Sequence, residues 1–199
     1  MAARRFLVVL AHPLPGSFAA SAAKTVVEAL EAKGHQVDLL DLYAEDFDPR
    51  LSAAERSAYM EPGYRPTEVS AIVARLKAAD GLVLVFPQWW FNLPAIMKGF
   101  IDRIFVPGVA FEHDKAGGRI VPLMTHVRTF WVVTSTGSPW WVVHLYMGNP
   151  VKRILKRGVA AFCAKGVDFR MLQIHDMDRA TEKKRNAFLA RVAASFSSI

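Results

Sequence analysis

The sequence predicts an α/β fold, a doubly wound five-stranded parallel sheet with helices on both faces. Three observations predict it. Short β-prone apolar runs alternate with helical patterns along all 199 residues. The run Gly81-Leu-Val-Leu-Val-Phe86 carries no polar side chain, as a strand covered on both faces requires. Turn-forming or polar residues follow three of the strands, each time at the carboxyl end.

Phe6 to Ala11 reads as the first strand. Two arginines precede it, but the apolar run is short and is broken by His12, Pro13 and Pro15, which argues against a signal peptide. His12-Pro-Leu-Pro-Gly-Ser-Phe18 leads into a helix from Ala19 to Lys33, with Ala22, Val26, Val27 and Leu30 at helical spacing and Gly34 as its stop. Gly and Ser at a helix N-terminus suit a phosphate held by free N–H groups and the helix dipole. Ser17 equally suits an N-cap, and His12 a hydrogen-bonded turn. The loop has neither the Gly-Lys-Ser/Thr of a Walker loop nor the three glycines of a dinucleotide fingerprint.

Gln36 to Asp41 reads as the second strand. The acidic loop that follows, Glu45-Asp-Phe-Asp-Pro49, lacks a matching cluster of hard ligands and reads as solvated surface, not a metal site. Ser52-Ala-Ala-Glu55 has the form of a capping box opening a short helix that stops before Pro62-Gly63. Thr67 to Ala79 reads as an amphipathic helix through Val69, Ile72, Val73 and Leu76, and Leu82 to Phe86 as the third strand.

The next loop, Pro87 to Pro94, holds Gln88, Trp89, Trp90, Phe91 and Asn92 at the edge where open α/β sheets bind ligands. A planar, partly apolar cofactor would find ring faces there; the alternative is that the three aromatics cap the core. Pro94 opens a helix through Ile96, Met97, Phe100, Ile101, Ile104 and Phe105. Residues 106–118 are too punctuated for regular structure and could fold over a site. Arg119 to Met124 reads as a hairpin arm and Arg128 to Thr134 as the fourth strand, ending in the polar turn Ser135-Thr-Gly-Ser-Pro139. Gly148 to Cys163 is expected as helix, Val167 to Ile174 as the fifth strand and Ala180 to Phe196 as a terminal helix. With no repeat or linker, one domain over residues 1–199 is expected. Five parallel strands are the flavodoxin-like count, whose strand order brings the loops after strands one, three and four around one crevice.

The composition, 52% hydrophobic and 22% charged, is that of a soluble globular protein. A single cysteine, Cys163, excludes an internal disulfide and argues against a thiolate metal site, so a buried thiol and a cytoplasmic location are expected. No stretch approaches the ~18 apolar residues of a membrane span. The formal net charge is +7. Residues 1–150 hold 14 basic and 14 acidic side chains, whereas residues 151–199 hold 11 and 4, so the excess lies in the last quarter. That face suits a phosphorylated ligand or peripheral contact with an anionic membrane, while solvated helix surface is the default. No nucleic-acid motif accompanies it.

Taken together, Ala11-His-Pro-Leu-Pro-Gly-Ser-Phe18, Pro87-Gln-Trp-Trp-Phe-Asn-Leu-Pro-Ala-Ile-Met-Lys-Gly99 and Thr134-Ser-Thr-Gly-Ser138 resemble the flavodoxin-like NAD(P)H:quinone oxidoreductases. The resemblance implies a flavin, FAD with FMN as the alternative, whose phosphate sits at His12, Ser17, Phe18 and Ala19. It implies an isoalloxazine ring held by Pro87, Gln88, Trp89, Trp90 and Phe91, with Thr134, Ser135, Thr136, Gly137 and Ser138 at its polar edge. Phe111 and His113 would line the substrate side. The family's downstream Tyr and His fall, without gaps, on Val143 and Asn149, so the nearby His144 and Tyr146 are the catalytic candidates. The implied activity is two-electron, ping-pong hydride transfer from NAD(P)H through flavin N5 to a quinone or similar aromatic acceptor, in a homodimer with sites between subunits. The alternatives are an ancillary regulatory subunit of a potassium-efflux transporter and a one-electron flavodoxin-type carrier.

Overall fold

The computed structural model describes residues 2–61, 63–64, 66–114 and 118–199. The elements follow in the order β1 (Arg5–Leu10), α1 (Phe18–Glu31), β2 (Gln36–Asp41), α2 (Ala53–Ala58), α3 (Ser70–Lys77), β3 (Gly81–Pro87), α4 (Ala95–Ile104), β4 (Phe111–His113), β5 (Ile120–Pro122), β6 (Thr129–Ser135), α5 (Pro150–Arg153), β7 (Asp168–Ile174) and α6 (Glu182–Phe196). Five strands pair in parallel in the order β2-β1-β3-β6-β7, and β4 and β5 form a separate antiparallel hairpin. The five predicted parallel strands and the hairpin arm are all present, each boundary within one or two residues of expectation.

Period-two alternation divides the sheet residues between two cores. Leu7, Val9, Leu82, Leu84, Phe130 and Val132 face one side, where Met97 and Phe100 of α4 cover them. Phe6, Val8, Val83, Val85, Trp131 and Val133 face the other, under Val26 and Leu30 of α1 and Val192 and Phe196 of α6. Because β1, β3 and β6 are buried on both faces, they have no polar side to show water. Cys163 is buried as expected, and burial pushes its thiol up to about 12.

The helix starts follow the local chemistry. Ser17 caps α1 by accepting from the Ala20 N–H, and Ser52 and Glu55 exchange both hydrogen bonds of the capping box. Gly34, at a φ of 79°, is the left-handed stop that follows α1. Pro62 and Lys115 to Gly117, on which parts of two predicted loops fall, lie outside the described residues.

Two expectations are corrected. Residues 106–118 are not wholly irregular, since β4 lies among them and pairs antiparallel with β5. Residues 148–163 do not form one α-helix: α5 covers four residues, a π-helical stretch follows at Ile154–Val159, and a 3₁₀ turn at Ala160–Phe162. At the end of that segment the Met124 N–H donates to the Phe162 carbonyl at 3.2 Å, satisfying a carbonyl that has no donor within the helix.

The segment between β2 and α3 is locked onto α4 by one buried cation. Arg103, 4% exposed, donates to Glu55 at 2.8 and 3.0 Å, to Glu68 at 2.6 Å and to the Asp48 carbonyl at 2.6 Å. Gly99 permits the approach, because a Cβ there would run into Pro49. Burial pushes the Glu55 carboxyl up, but the Arg103 guanidinium and the bonds from Ser52 outweigh it and hold it below the usual carboxylate range. That stabilisation is present above the ordinary carboxylate pKa and is lost as pH falls through the depressed one. Arg103→Leu leaves Glu55 buried without its partner, so urea unfolding should show a loss of about 3–5 kcal/mol at neutral pH, shrinking toward acid.

Candidate active site

At the carboxyl edge of the sheet the winding direction reverses between β1 and β3; the loops after β3, β6 and β7 line a single crevice, and the loop after β1 stands beside it with His12 next to Trp89. A cavity of about 610 Å³ lies there, lined by Gln88, Trp89, Trp90, Phe91, Thr136, Gly137, Ser138 and Asp178. Seven of these eight are residues singled out from the sequence. The three aromatics do not cap the core: Trp90 is 96% exposed and Trp89 41%.

The aromatic loop makes a tight turn. The Asn92 N–H donates to the Trp89 carbonyl at 3.0 Å, and both central residues, Trp90 and Phe91, have left-handed φ values of 51° and 57°. Hairpin turns of this hand ordinarily use Asn and Gly, and bulky residues there store about 1–3 kcal/mol of strain each. Asn92 adds a second bond by accepting from the Leu93 N–H at 2.8 Å, and the chain passes directly through Pro94 into α4. The other end is tied to β6 by the Gln88 N–H and the Ser135 carbonyl, 2.7 Å apart.

The Gln88 side chain is buried, and neither its Nε2 nor its Oε1 has a partner; Thr134 Oγ1 is likewise unpartnered. An amide left unbonded in this way costs about 1–3 kcal/mol. Such a group fits a ligand that offers both a donor and an acceptor, as the polar edge of a flavin ring does. On the β1 side the His12 imidazole lies 6.0 Å from the Trp89 ring and accepts from the Leu14 N–H at 3.0 Å. His12 is therefore both a turn residue and a neighbour of the aromatic loop. Ser17 takes the Ala20 N–H, while the Phe18 and Ala19 N–H groups lie in a first turn where no intrahelical acceptor exists. Phe18 itself packs on Phe188 of α6, at 5.9 Å between rings.

Asp178 is the crevice residue that sequence reasoning missed. It stands in the loop after β7, which is bonded to the β6 turn through Thr136 N–H to Ile174 carbonyl and Met177 N–H to Thr136 carbonyl, both 3.0 Å. A Cβ on Gly137 would collide with the Asp178 carboxylate, so the glycine lets the two loops meet. The signal available was the position of Ile174-His-Asp-Met-Asp178 after the fifth strand, at the same sheet edge. A second cavity of about 410 Å³ adjoins that loop, bounded by Trp140, His175, Lys184, Phe188 and Arg191 among others.

Other predicted residues lie apart from the crevice. Val143 is fully buried, and Asn149, at a φ of 47°, caps α5 through its side-chain oxygen, so both have structural work. Tyr146 is 80% exposed. His144 stacks on Trp140 with ring centroids 5.0 Å apart and faces His175 at 5.3 Å. Burial, reinforced by the Lys152 charge, lowers the pKa of His144, and burial next to His144 lowers that of His175. Both are held toward the neutral form. Phe111 and His113 sit on the β4–β5 hairpin, Phe111 against Phe162 at 5.3 Å, and His113 lines a different cavity with Tyr59 and Tyr64. Within one chain they do not reach the crevice lining.

A family profile described as flavodoxin-like fold matches residues 4–196. The chain belongs to that family. Among flavodoxin-like proteins it is 36% identical to NAD(P)H dehydrogenase (quinone) 1 of Rattus norvegicus over 129 residues, 57% of this chain. That match spans 47% of the rat protein, about half its length. Smu.1420 from Streptococcus mutans UA159 has a similar structure, with a TM-score of 0.83, 29% identity and coverage of 98% of this chain and 100% of its own. A structure titled NAD(P)H:quinone oxidoreductase, from Methanothermobacter marburgensis, shares the fold at a TM-score of 0.85 and 24% identity, covering 99% of this chain and 97% of its own. Among the described residues no helix is long and apolar enough to cross a membrane.

Replacing Gln88 by the similarly sized Leu removes a buried amide that has no partner. Gln88→Leu should therefore raise the stability of the ligand-free protein by about 1–3 kcal/mol in urea unfolding, even though the residue lines the crevice.

Proposed function

We propose that the chain is a flavin-dependent NAD(P)H:quinone oxidoreductase. The observation that carries the reading is the unbonded Gln88 amide beside a strained, exposed aromatic turn, at the switch point where this fold binds ligands. A bound flavin would supply the redox chemistry, accepting hydride from reduced nicotinamide and delivering it to a quinone. The chain's own part is binding and positioning. Phe18 and Ala19 N–H groups and the α1 dipole would hold a phosphate, Gln88 and the turn from Thr136 to Ser138 would bond the polar ring edge, and Trp90 and Phe91 would flank the ring. The name of the rat relative, which gives NAD(P)H and quinone, supports the same reaction class.

FAD is favoured over FMN by the second cavity. It lies beyond the β6 and β7 turns, and Phe188, Lys184 and Arg191 offer a ring face and two cations to an adenylate. A homodimer is favoured by the hairpin: Phe111 and His113 stand away from their own crevice, so a second copy is needed to bring them to it. A protein of monomer mass in light scattering that still turned over quinone at full rate would overturn the dimer.

The purified protein should absorb near ~450 nm, lose that absorbance under anaerobic NADPH and regain it on menadione. Trp90→Ala should slow flavin reduction in stopped-flow by on the order of tenfold through loss of ring contact. Trp140→Ala, at the second cavity, should weaken FAD binding and leave FMN binding unchanged. A protein that takes up neither flavin on reconstitution sinks the reading and favours a regulatory role.

A further inference from the structure

Two loops meet at the polar wall of the crevice, the turn after β6 and the loop after β7. The first supplies three backbone N–H groups, of which two are used within the fold. The Thr136 N–H donates to the Ile174 carbonyl at 3.0 Å and the Ser138 N–H to Thr136 Oγ1 at 3.3 Å, whereas the Gly137 N–H has no acceptor among the described residues. Against that glycine stands Asp178, whose carboxylate takes the space that a Cβ on Gly137 would need. Among the described residues that line the crevice, Asp178 is the one that carries a charge. Its neighbour Arg179 is exposed and lies outside the lining.

The fold makes no use of this carboxylate. Asp178 has no ion pair among the described residues, while Asp176, two positions earlier, faces Lys184 at 3.9 Å. The 3₁₀ turn Met177–Arg179 that carries it is held by its backbone, through Met177 N–H to the Thr136 carbonyl at 3.0 Å and Ala180 N–H to the Met177 carbonyl at 3.1 Å. We propose that Asp178 sets the reducing power of the bound ring, by placing one uncompensated negative charge beside the turn that bonds the ring's polar edge. This rests on the flavin reading and deepens it. Hydride uptake brings two electrons and one proton, so a neutral ring gains one negative charge and the nicotinamide leaves with one positive charge more. A free N–H such as that of Gly137 favours the added charge, and a carboxylate opposes it. A ring seated against the turn also excludes water from Asp178, which lengthens the reach of its charge. The carboxylate therefore shifts driving force from uptake of the hydride to its delivery to the quinone.

The test is the midpoint potential of the intact protein reconstituted with FAD, or with FMN where only that is retained, read against reference dyes without oxygen. Asp178→Asn keeps the size and removes the charge. The equilibrium constant for reduction should rise on the order of tenfold, the scale of one charge a few ångströms away, which is about 30 mV for a two-electron couple. By linkage the apoprotein of this variant should gain affinity for reduced over oxidised flavin by the same factor. Asp178→Glu keeps the charge and should stay near the parent. Glu182→Gln removes a charge from the exposed first turn of α6 and should leave the potential where it is. An unmoved potential in Asp178→Asn overturns the proposal, including the case in which a cation from a second copy neutralises the carboxylate in the assembled protein. So does an equal shift in Asp178→Glu or in Glu182→Gln, which assigns the effect to packing or to net charge. A protein that takes up neither flavin overturns the flavin reading itself, whereas a loaded protein with an unmoved potential leaves that reading standing.

Discussion

Burial of β1, β3 and β6 on both faces is the constraint on which the rest of this structure depends. Strands without a polar face cannot tolerate water on either side, so helices must cover both, and a parallel chain can place them there only by winding in two directions from the middle of the sheet. The reversal falls between β1 and β3. Their outgoing connections diverge at that point, which opens the crevice without any residue being selected to make a hole. Asp178 and the turn from Thr136 to Ser138 then close one side, because β6 and β7 are neighbours and their exits are cross-bonded.

The crevice is also where local rules are broken. Trp90 and Phe91 occupy left-handed backbone that neither favours, Trp90 lies in water, and the Gln88 amide is buried without a partner. The helix starts and the cores are locally consistent: Ser caps helices, the capping box is complete, and apolar positions face the cores. A strained turn persists only when its surroundings hold it. Here one end is bonded to β6 through Gln88, the other runs into α4, and α4 is fastened by Arg103 to Glu55, Glu68 and the Asp48 carbonyl. Concentration of strain and unmet hydrogen bonding at one edge, on a rigid support, is the pattern expected of a ligand site.

Charge is distributed by a separate logic. In the acidic loop after β2, Glu45 pairs with Arg75 and Asp48 with Arg50, and Arg75 also holds Asp38 of β2, whereas the cations of residues 152–157 have no ion pair among the described residues. Eight of the ten ion pairs among the described residues lie in the balanced three-quarters of the chain, whereas Lys152, Arg153, Lys156 and Arg157 stand exposed near aromatic and aliphatic groups.

The strands, the caps and the crevice loops were legible in the amino-acid order because each depends on near neighbours: apolar alternation, a hydroxyl at a helix start, Gly and Pro at turns. What could not be read depended on distant partners. The Phe162 carbonyl ends its segment on the Met124 N–H, and Asp178 joins the crevice because Gly137 leaves room for it across two adjacent strands. The separation of Phe111 and His113 from the crevice is likewise decided by where the β4–β5 hairpin packs, against Phe162. The sequence by itself determined which loops share the sheet's carboxyl edge, since each parallel strand that runs on into a helix leaves its outgoing loop there. Only the tertiary structure decided which side chains meet there, because those contacts join residues far apart in the chain and no local pattern encodes them.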